Sequence, residues 1–259
     1  MDLPLLEDDL AEPGLLAPGA MRTDGAIGPD VVMCFFPEVV DALASRPGAR
    51  PAATLHSEMG RSTVWRLDDG DRPVAVAHPG VGAPLAAAMF EELIVMGGRR
   101  FVACGAAGVL VPELVVGHAV VVDSAVRDEG TSFHYLPPGR VADADPAGVA
   151  TLVEALHAAG AAHTVGRTWT TDAVYRETRA RTDRRRAEGC LTVEMEAAAF
   201  LAVARHRGVA FSQVLFAGDS LAGEQWDDRG WATARDARAT LFEIAVDAAR
   251  RGAAAAAGN

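Results

Sequence analysis

Cysteine is scarce in this chain. Three in 259 residues, at Cys34, Cys104 and Cys190, are odd in number and far apart, which excludes a disulfide framework and offers no metal-ligand spacing. Each lies in or beside an apolar stretch, so all three are expected as buried free thiols in a reducing compartment. Positive charge is also short: 24 Lys and Arg face 35 Asp and Glu, a formal net charge of -11. That balance repels a phosphate backbone or an anionic bilayer, and no basic cluster is flanked by aromatics, so neither nucleic acid nor membrane is expected as a partner. No apolar run reaches bilayer length, and the first twenty residues carry acids where a secretory signal needs positive charge; a cytoplasmic location follows. The histidines are scattered, so neither a metal nor another cofactor is expected.

What is present is half hydrophobic and 23% charged, the profile of a globular protein with material for a core. The apolar run "VVMCFF" (31–36) precedes "PEVVDALASR", whose Pro37 suits a first helical turn. A strand ending in glycines, "PVAVAHPGVGAP" (73–84), leads into "LAAAMFEELIVMGG", with apolar residues at helical spacing and Gly97 as a stop. Strand-like and helix-like segments alternate onward through 100–108, 118–126, 146–160, 163–171, 190–209 and 209–219 to a last helix from about 233 to 251. This predicts an α/β fold in a single domain, with a mixed, mostly parallel central sheet flanked by helices and ligands at the carboxyl ends of strands. Residues 1–30 read as a partly mobile N-terminal extension in which Leu3, Leu5 and Leu6 can dock, 31–251 as the domain and 252–259 as a flexible tail. The polar segment 127–146 reads as a long loop of the kind that tends to be functional. The basic run "RETRARTDRRR" (176–186) reads as a solvated helix face, with Arg176 open to an anion contact.

The stretch "CLTVEMEAAAF" places Glu194 and Glu196 where a strand runs into an alanine-rich helix. Side chains two apart on a strand share a face, so both carboxylates can enter one pocket. Acids at a helix N-terminus also simply favour the macrodipole, by about 0.3 to 1 kcal/mol each. A second acid, Asp219 in "LFAGDSLAGEQW", and the glycine turn with Gly80 and Gly82 lie at other predicted strand ends, where close backbone approach to a ligand is available.

The motifs "HPGVGAP" with "EEL", "GAAGVLVPELVVGHAVVVDSAVRDEGTS", "VEMEAAA" and "GDSLAGEQW", in that order, resemble the nucleoside phosphorylase family of uridine phosphorylases, purine nucleoside phosphorylases and methylthioadenosine-type nucleosidases; the likeness runs from about 31 to 250. The resemblance implies an enzyme cleaving the N-glycosidic bond of a nucleoside, with phosphate as acceptor, giving ribose 1-phosphate and free base. It implies ribose binding by Glu194, Met195 and Glu196, and Asp219 as the acid that protonates the leaving base. It also implies a homo-oligomer built from dimers, up to a hexamer.

The chain departs from the family pattern at the phosphate site. Phe35 and Phe36 replace a Gly-Asp pair, Ala103 an Arg and Ala106 a hydroxyl residue, while Arg61 is the candidate for an Arg donated by a neighbouring subunit. Arg127, Arg176 and Arg229 are available as substitutes. The Gln and Arg expected to read uracil fall at Thr178 and Ala180, leaving Tyr175, Arg176 and Glu177 as base-binding candidates. Two alternatives stay open: a nucleosidase in which Glu38 activates water, against Glu38 as a solvent-facing acid after Pro37, and a nucleoside-binding protein without turnover.

Overall fold

Apolar strands buried on both faces require helices above and below them, and the described residues supply six. The computed structural model describes residues 3–7, 9–20 and 24–257. Those parts of the expected N-terminal extension and C-terminal tail that fall at 1–2, 8, 21–23 and 258–259 lie outside the described residues. The strands are β1 (Asp24–Gly25), β2 (Asp30–Cys34), β3 (Ala49–Ser57), β4 (Gly60–Leu67), β5 (Val74–Ala77), β6 (Arg100–Val109), β7 (Ala119–Asp128), β8 (Val141–Asp143), β9 (His163–Thr171), β10 (Cys190–Glu194) and β11 (Ala210–Ser220). The helices are α1 (Pro37–Ala42), α2 (Ala83–Val95), α3 (Pro146–Ala158), α4 (Arg179–Ala187), α5 (Ala197–Arg207) and α6 (Arg235–Ala257); α6 continues past the end expected near 251.

The strands form one mixed sheet, ordered β1-β3-β4-β5-β2-β6-β10-β9-β7-β11, with β8 beside β7. A further parallel pairing of β11 with β6 joins the two ends of the run β6-β10-β9-β7-β11, so that half of the sheet closes into a ring. Parallel pairs dominate around β2, β6 and β9, while the hairpin of β3 and β4 is antiparallel.

Alternation along each strand separates two apolar layers. Phe101 and Ala103 face α2 and α5, where Phe90 meets Phe101 and Phe200 edge-on at 4.6 and 5.5 Å. Val102 and Cys104 face α3 and α6, where Leu152, Leu156, Phe242 and Ala245 cover them. The three cysteines are buried and free. Near the N-terminus, Leu5 is half-buried while Leu3 and Leu6 are exposed.

Two readings of the sequence are corrected. The basic run is not a solvated face throughout. Arg185 is buried, its guanidinium 2.9 Å from Asp128 and stacked 5.5 Å from the Trp169 ring, and Arg179 and Arg186 donate to the Leu221 carbonyl. Much of 127–146 is structured: Arg127 donates to the carbonyls of Pro137 (2.7 Å) and Leu136 (3.2 Å) and stacks on Phe133, and β8 follows.

The turn between β5 and α2 depends on glycine. Gly80 has φ +84°, and a Cβ there would lie 2.5 Å from Leu85 Cδ2. Gly80→Ala is expected to lower stability by about 1–3 kcal/mol through left-handed strain and the clash. A shift of the urea midpoint measures this; an unchanged midpoint would mean that the turn re-forms without glycine.

Candidate active site

At the end of β10 the chain turns into α5 and leaves the first amides of that helix without helical partners. Glu194 supplies them: its Oε2 accepts from the amides of Glu196 (2.7 Å) and Ala197 (2.6 Å). Its Oε1 accepts from the Thr170 hydroxyl at 2.6 Å, and Thr170 Oγ1 accepts in turn from the Ala198 amide at 2.9 Å. Glu194 is therefore engaged by β9 and α5, and serves to set the turn. Glu196 differs. Its Oε1 accepts from the amide of Gly82 at 2.5 Å, at the N-terminus of α2, and among the described residues no side chain hydrogen-bonds either oxygen. A carboxylate anchored only by backbone amides can still receive ligand hydroxyls.

Both acids line a cavity of about 290 Å³. Met195, Glu177 and Asp219 join them, with Phe35, the small residues Gly105 to Gly108, Trp231 and Arg238. Near the end of β11, Asp219 Oδ2 accepts from the Trp226 indole at 2.7 Å. The loop carrying Trp226 is folded back by paired backbone bonds between Ser220 and Asp227 (2.7 and 3.0 Å). Arg229 pins the same loop by donating to the carbonyls of Gly218 (3.0 Å) and Leu114 (2.8 Å).

A larger hollow of about 620 Å³ lies beneath residues 9–18. Its two buried acids are engaged: Glu91 accepts three bonds from Arg207 (2.7, 2.9 and 3.0 Å) and Glu92 accepts from the Gly19 amide (3.1 Å), while Asp9 and Glu12 line its rim. The smaller cavity is the one with uncommitted chemistry.

Burial dominates its electrostatics. Desolvation raises the pKa of both Glu194 and Glu196; the charge of Glu194 adds to the rise at Glu196, and the bonds from Thr170 and the amides oppose it at Glu194. Glu177 is pushed up to about 7 by desolvation and then by the charge of Asp219. The acids sit close enough to feel one another, in a space where, among the described residues, Arg238 is the one cationic side chain.

The cavity thus brings together Glu177, Glu194, Met195, Glu196 and Asp219 from three parts of the chain. Gly82 does not line it but holds Glu196 through its amide, and Gly80 shapes the turn before it. Tyr175, 97% exposed, and Arg176 point to solvent: Val174–Arg176 is a 3-10 turn, in which residues three apart share a face, so Val174 and Glu177 face inward. Arg61 is exposed near the tip of the β3–β4 hairpin and does not line the cavity. Glu38 does not line it either; it lies 3.1 Å from Arg238. Arg127 and Arg229 are spent on carbonyls. Sequence reasoning passed over Arg238, Trp226 and Trp231. A signal for Arg238 existed: it shares a helical stripe with Leu241, Phe242 and Ala245, a lone cation on an apolar face.

Among the described residues, no cluster of three His, Cys, Asp or Glu could hold a metal ion, and no helix is long and apolar enough to cross a membrane. A family model described as the phosphorylase superfamily matches residues 29–254. The uridine phosphorylase of Escherichia coli (strain K12) is 29% identical over 229 residues, covering 83% of this chain and 88% of that protein. The guanosine phosphorylase of Halorubrum lacusprofundi is 33% identical over 153 residues, covering 59% and 64%. The uridine phosphorylase of Thermococcus kodakarensis is 34% identical over 103 residues, covering 40% and 37%.

The raised carboxyls predict the pH dependence of stability. An acid with a higher pKa in the folded state than in the unfolded chain stabilises the fold when protonated, fully below the unfolded value near 4.5, and loses that contribution as pH rises through the folded value, about 7 for Glu177. Thermal unfolding of the ligand-free protein is therefore expected to move to lower temperature between pH 5 and 8. Glu196→Gln should flatten that dependence; a variant as pH-sensitive as the parent would show that Glu196 is not among the groups responsible.

Proposed function

Since the chain belongs to the phosphorylase superfamily, we propose that it is a pentosyltransferase cleaving the N-glycosidic bond of a nucleoside, with inorganic phosphate as acceptor. The observation that carries this reading is the pairing, in one cavity, of a backbone-anchored carboxylate, Glu196, with a second acid, Asp219, from a different strand.

In the reaction, an oxygen of hydrogen phosphate bonds to C1′ of the ribose as the C1′–N bond breaks, and its electron pair leaves with the base. The base gains one proton, delivered by the Asp219 carboxyl; the proton carried in by hydrogen phosphate balances it, giving free base and ribose 1-phosphate. Positive charge builds on the sugar as the bond lengthens. Glu196 answers that charge while accepting from the ribose hydroxyls, and Met195 packs against the ring. Glu194 positions both by fixing the start of α5. Glu177 meets the base as its polar partner. No Gln and Arg pair occupies the uracil-reading positions, so the cavity is not built for a pyrimidine in the way a uridine phosphorylase is.

Hydrolysis with Glu38 as base finds less support, because Glu38 lies 3.1 Å from Arg238, a cation that favours an anionic acceptor over water. An assembly of dimers, with Arg61 reaching a neighbour's site, and a cytoplasmic location complete the reading; the free buried thiols agree with a reducing compartment.

Base release from purine and pyrimidine nucleosides, measured with and without phosphate, tests the proposal. Turnover that requires phosphate and yields ribose 1-phosphate is expected; free ribose as the product would assign a nucleosidase. Asp219→Asn should lower kcat by about 100-fold or more while nucleoside affinity stays within a few-fold. Equal loss of affinity would mean that Asp219 binds the substrate and does not serve as the acid.

A further inference from the structure

We infer that Arg238 holds the acceptor anion, binding it as a hydrogen-bearing tetrahedral oxyanion beside Glu38; the inference rests on the phosphorolytic reading above. An anion entering this cavity meets Glu177, Glu194, Glu196 and Asp219, so a cation must offset them, and Arg238 alone lines the space. The sequence contains no lysine, so the cation can only be arginine.

The surroundings of Arg238 leave its donors unspent. The residue is 8% exposed, yet of its five N–H groups it makes one hydrogen bond within the chain, a long one of 3.3 Å from Nη1 to the Ala232 carbonyl. Its Nε has no acceptor. Glu38 Oε1 lies 3.1 Å from Nη1 but is not aligned as a hydrogen-bond acceptor and is itself without a donor. A structural arginine in the interior is normally saturated by carbonyls or carboxylates, as Arg127 and Arg229 are here. This one is held by its faces: the Phe36 ring lies 4.8 Å and the Trp231 ring 5.5 Å from Cζ. Rings fix the plane of a guanidinium without consuming its N–H groups, and a fixed planar fork suits two oxygens of a tetrahedral anion.

Glu38 adds selectivity. A carboxylate next to the anion site repels a fully deprotonated anion but accepts from one that keeps a hydroxyl. Hydrogen phosphate and arsenate carry such a hydroxyl near neutral pH, and sulfate does not.

The test compares the full-length protein with Arg238→Met, which keeps an apolar stem between the two rings, and with Arg238→Lys in case the methionine variant does not fold. Phosphate binding is measured directly by calorimetry without nucleoside, and KM is measured separately for phosphate and nucleoside. Loss of charge-assisted bonds is expected to raise the phosphate Kd and KM by roughly 10- to 150-fold in Arg238→Met. The nucleoside KM should stay within about threefold, a separation that a merely structural role would not produce. Sulfate should bind the parent protein at least roughly tenfold more weakly than phosphate. Unchanged phosphate constants in a folded variant, with the parent still dependent on phosphate, would overturn the assignment of Arg238 and leave the phosphorolytic reading standing. Parent protein that neither binds phosphate nor needs it for base release would overturn both. Sulfate binding as tight as phosphate would overturn the role given to Glu38.

Discussion

The Glu194 carboxylate, closed over the start of α5, is the contact on which the site depends. It joins three elements with one side chain: the end of its own strand β10, Thr170 on β9 and the first amides of the helix. Burying a carboxylate is costly unless nearly every lone pair is used, and here the bonds come from groups that would otherwise be orphaned at a helix N-terminus. The same hydrogen bonds that satisfy the helix fix where Met195 and Glu196 stand. Glu196 is then met from the opposite side by the Gly82 amide at the N-terminus of α2, so two helix N-termini converge on adjacent acids.

This arrangement explains why two glutamates flank one methionine. A single acid cannot both cap the helix and remain available to a ligand, because capping consumes its oxygens. The pair separates the tasks: Glu194 sets the geometry of the turn, and Glu196 is the carboxylate left for the binding role proposed above. The absence of side-chain donors on Glu196 is as informative as the abundance of donors on Glu194.

Much of the fold was legible because it is written in short-range patterns. Apolar runs marked β2, β5, β6, β10 and β11, with an alanine-rich helix after β5 and β10; Glu194 and Glu196 do line one cavity, but through the turn into α5 and not through the period of two, because β10 ends at Glu194. The closure of β11 onto β6 left no such mark, since residues 110–209 lie between those strands and their pairing is a tertiary event. The first strand of the hairpin, "ARPAATLHS", was missed because its exposed Arg50 and Pro51 disguise the strand pattern. Tyr175 and Arg176 looked suited to a base by residue type, but a 3-10 turn rotates successive side chains by about 120°, and only Val174 and Glu177 face the cavity. Arg238 shows the opposite failure. It belongs to no motif, and its importance appears only when α6 folds back over Phe36.

The cavity's charge balance links these parts. Burial favours protons on Glu177, Glu194 and Glu196, and these groups contribute most to stability where they are neutral. On the reading proposed above, ribose hydroxyls donating to Glu196 would favour its ionised form, as the Thr170 hydroxyl does for Glu194. On that reading substrate binding would be coupled to proton release. The site is held ready by backbone amides, and the ligand supplies the remaining polar contacts that the folded chain leaves unmade.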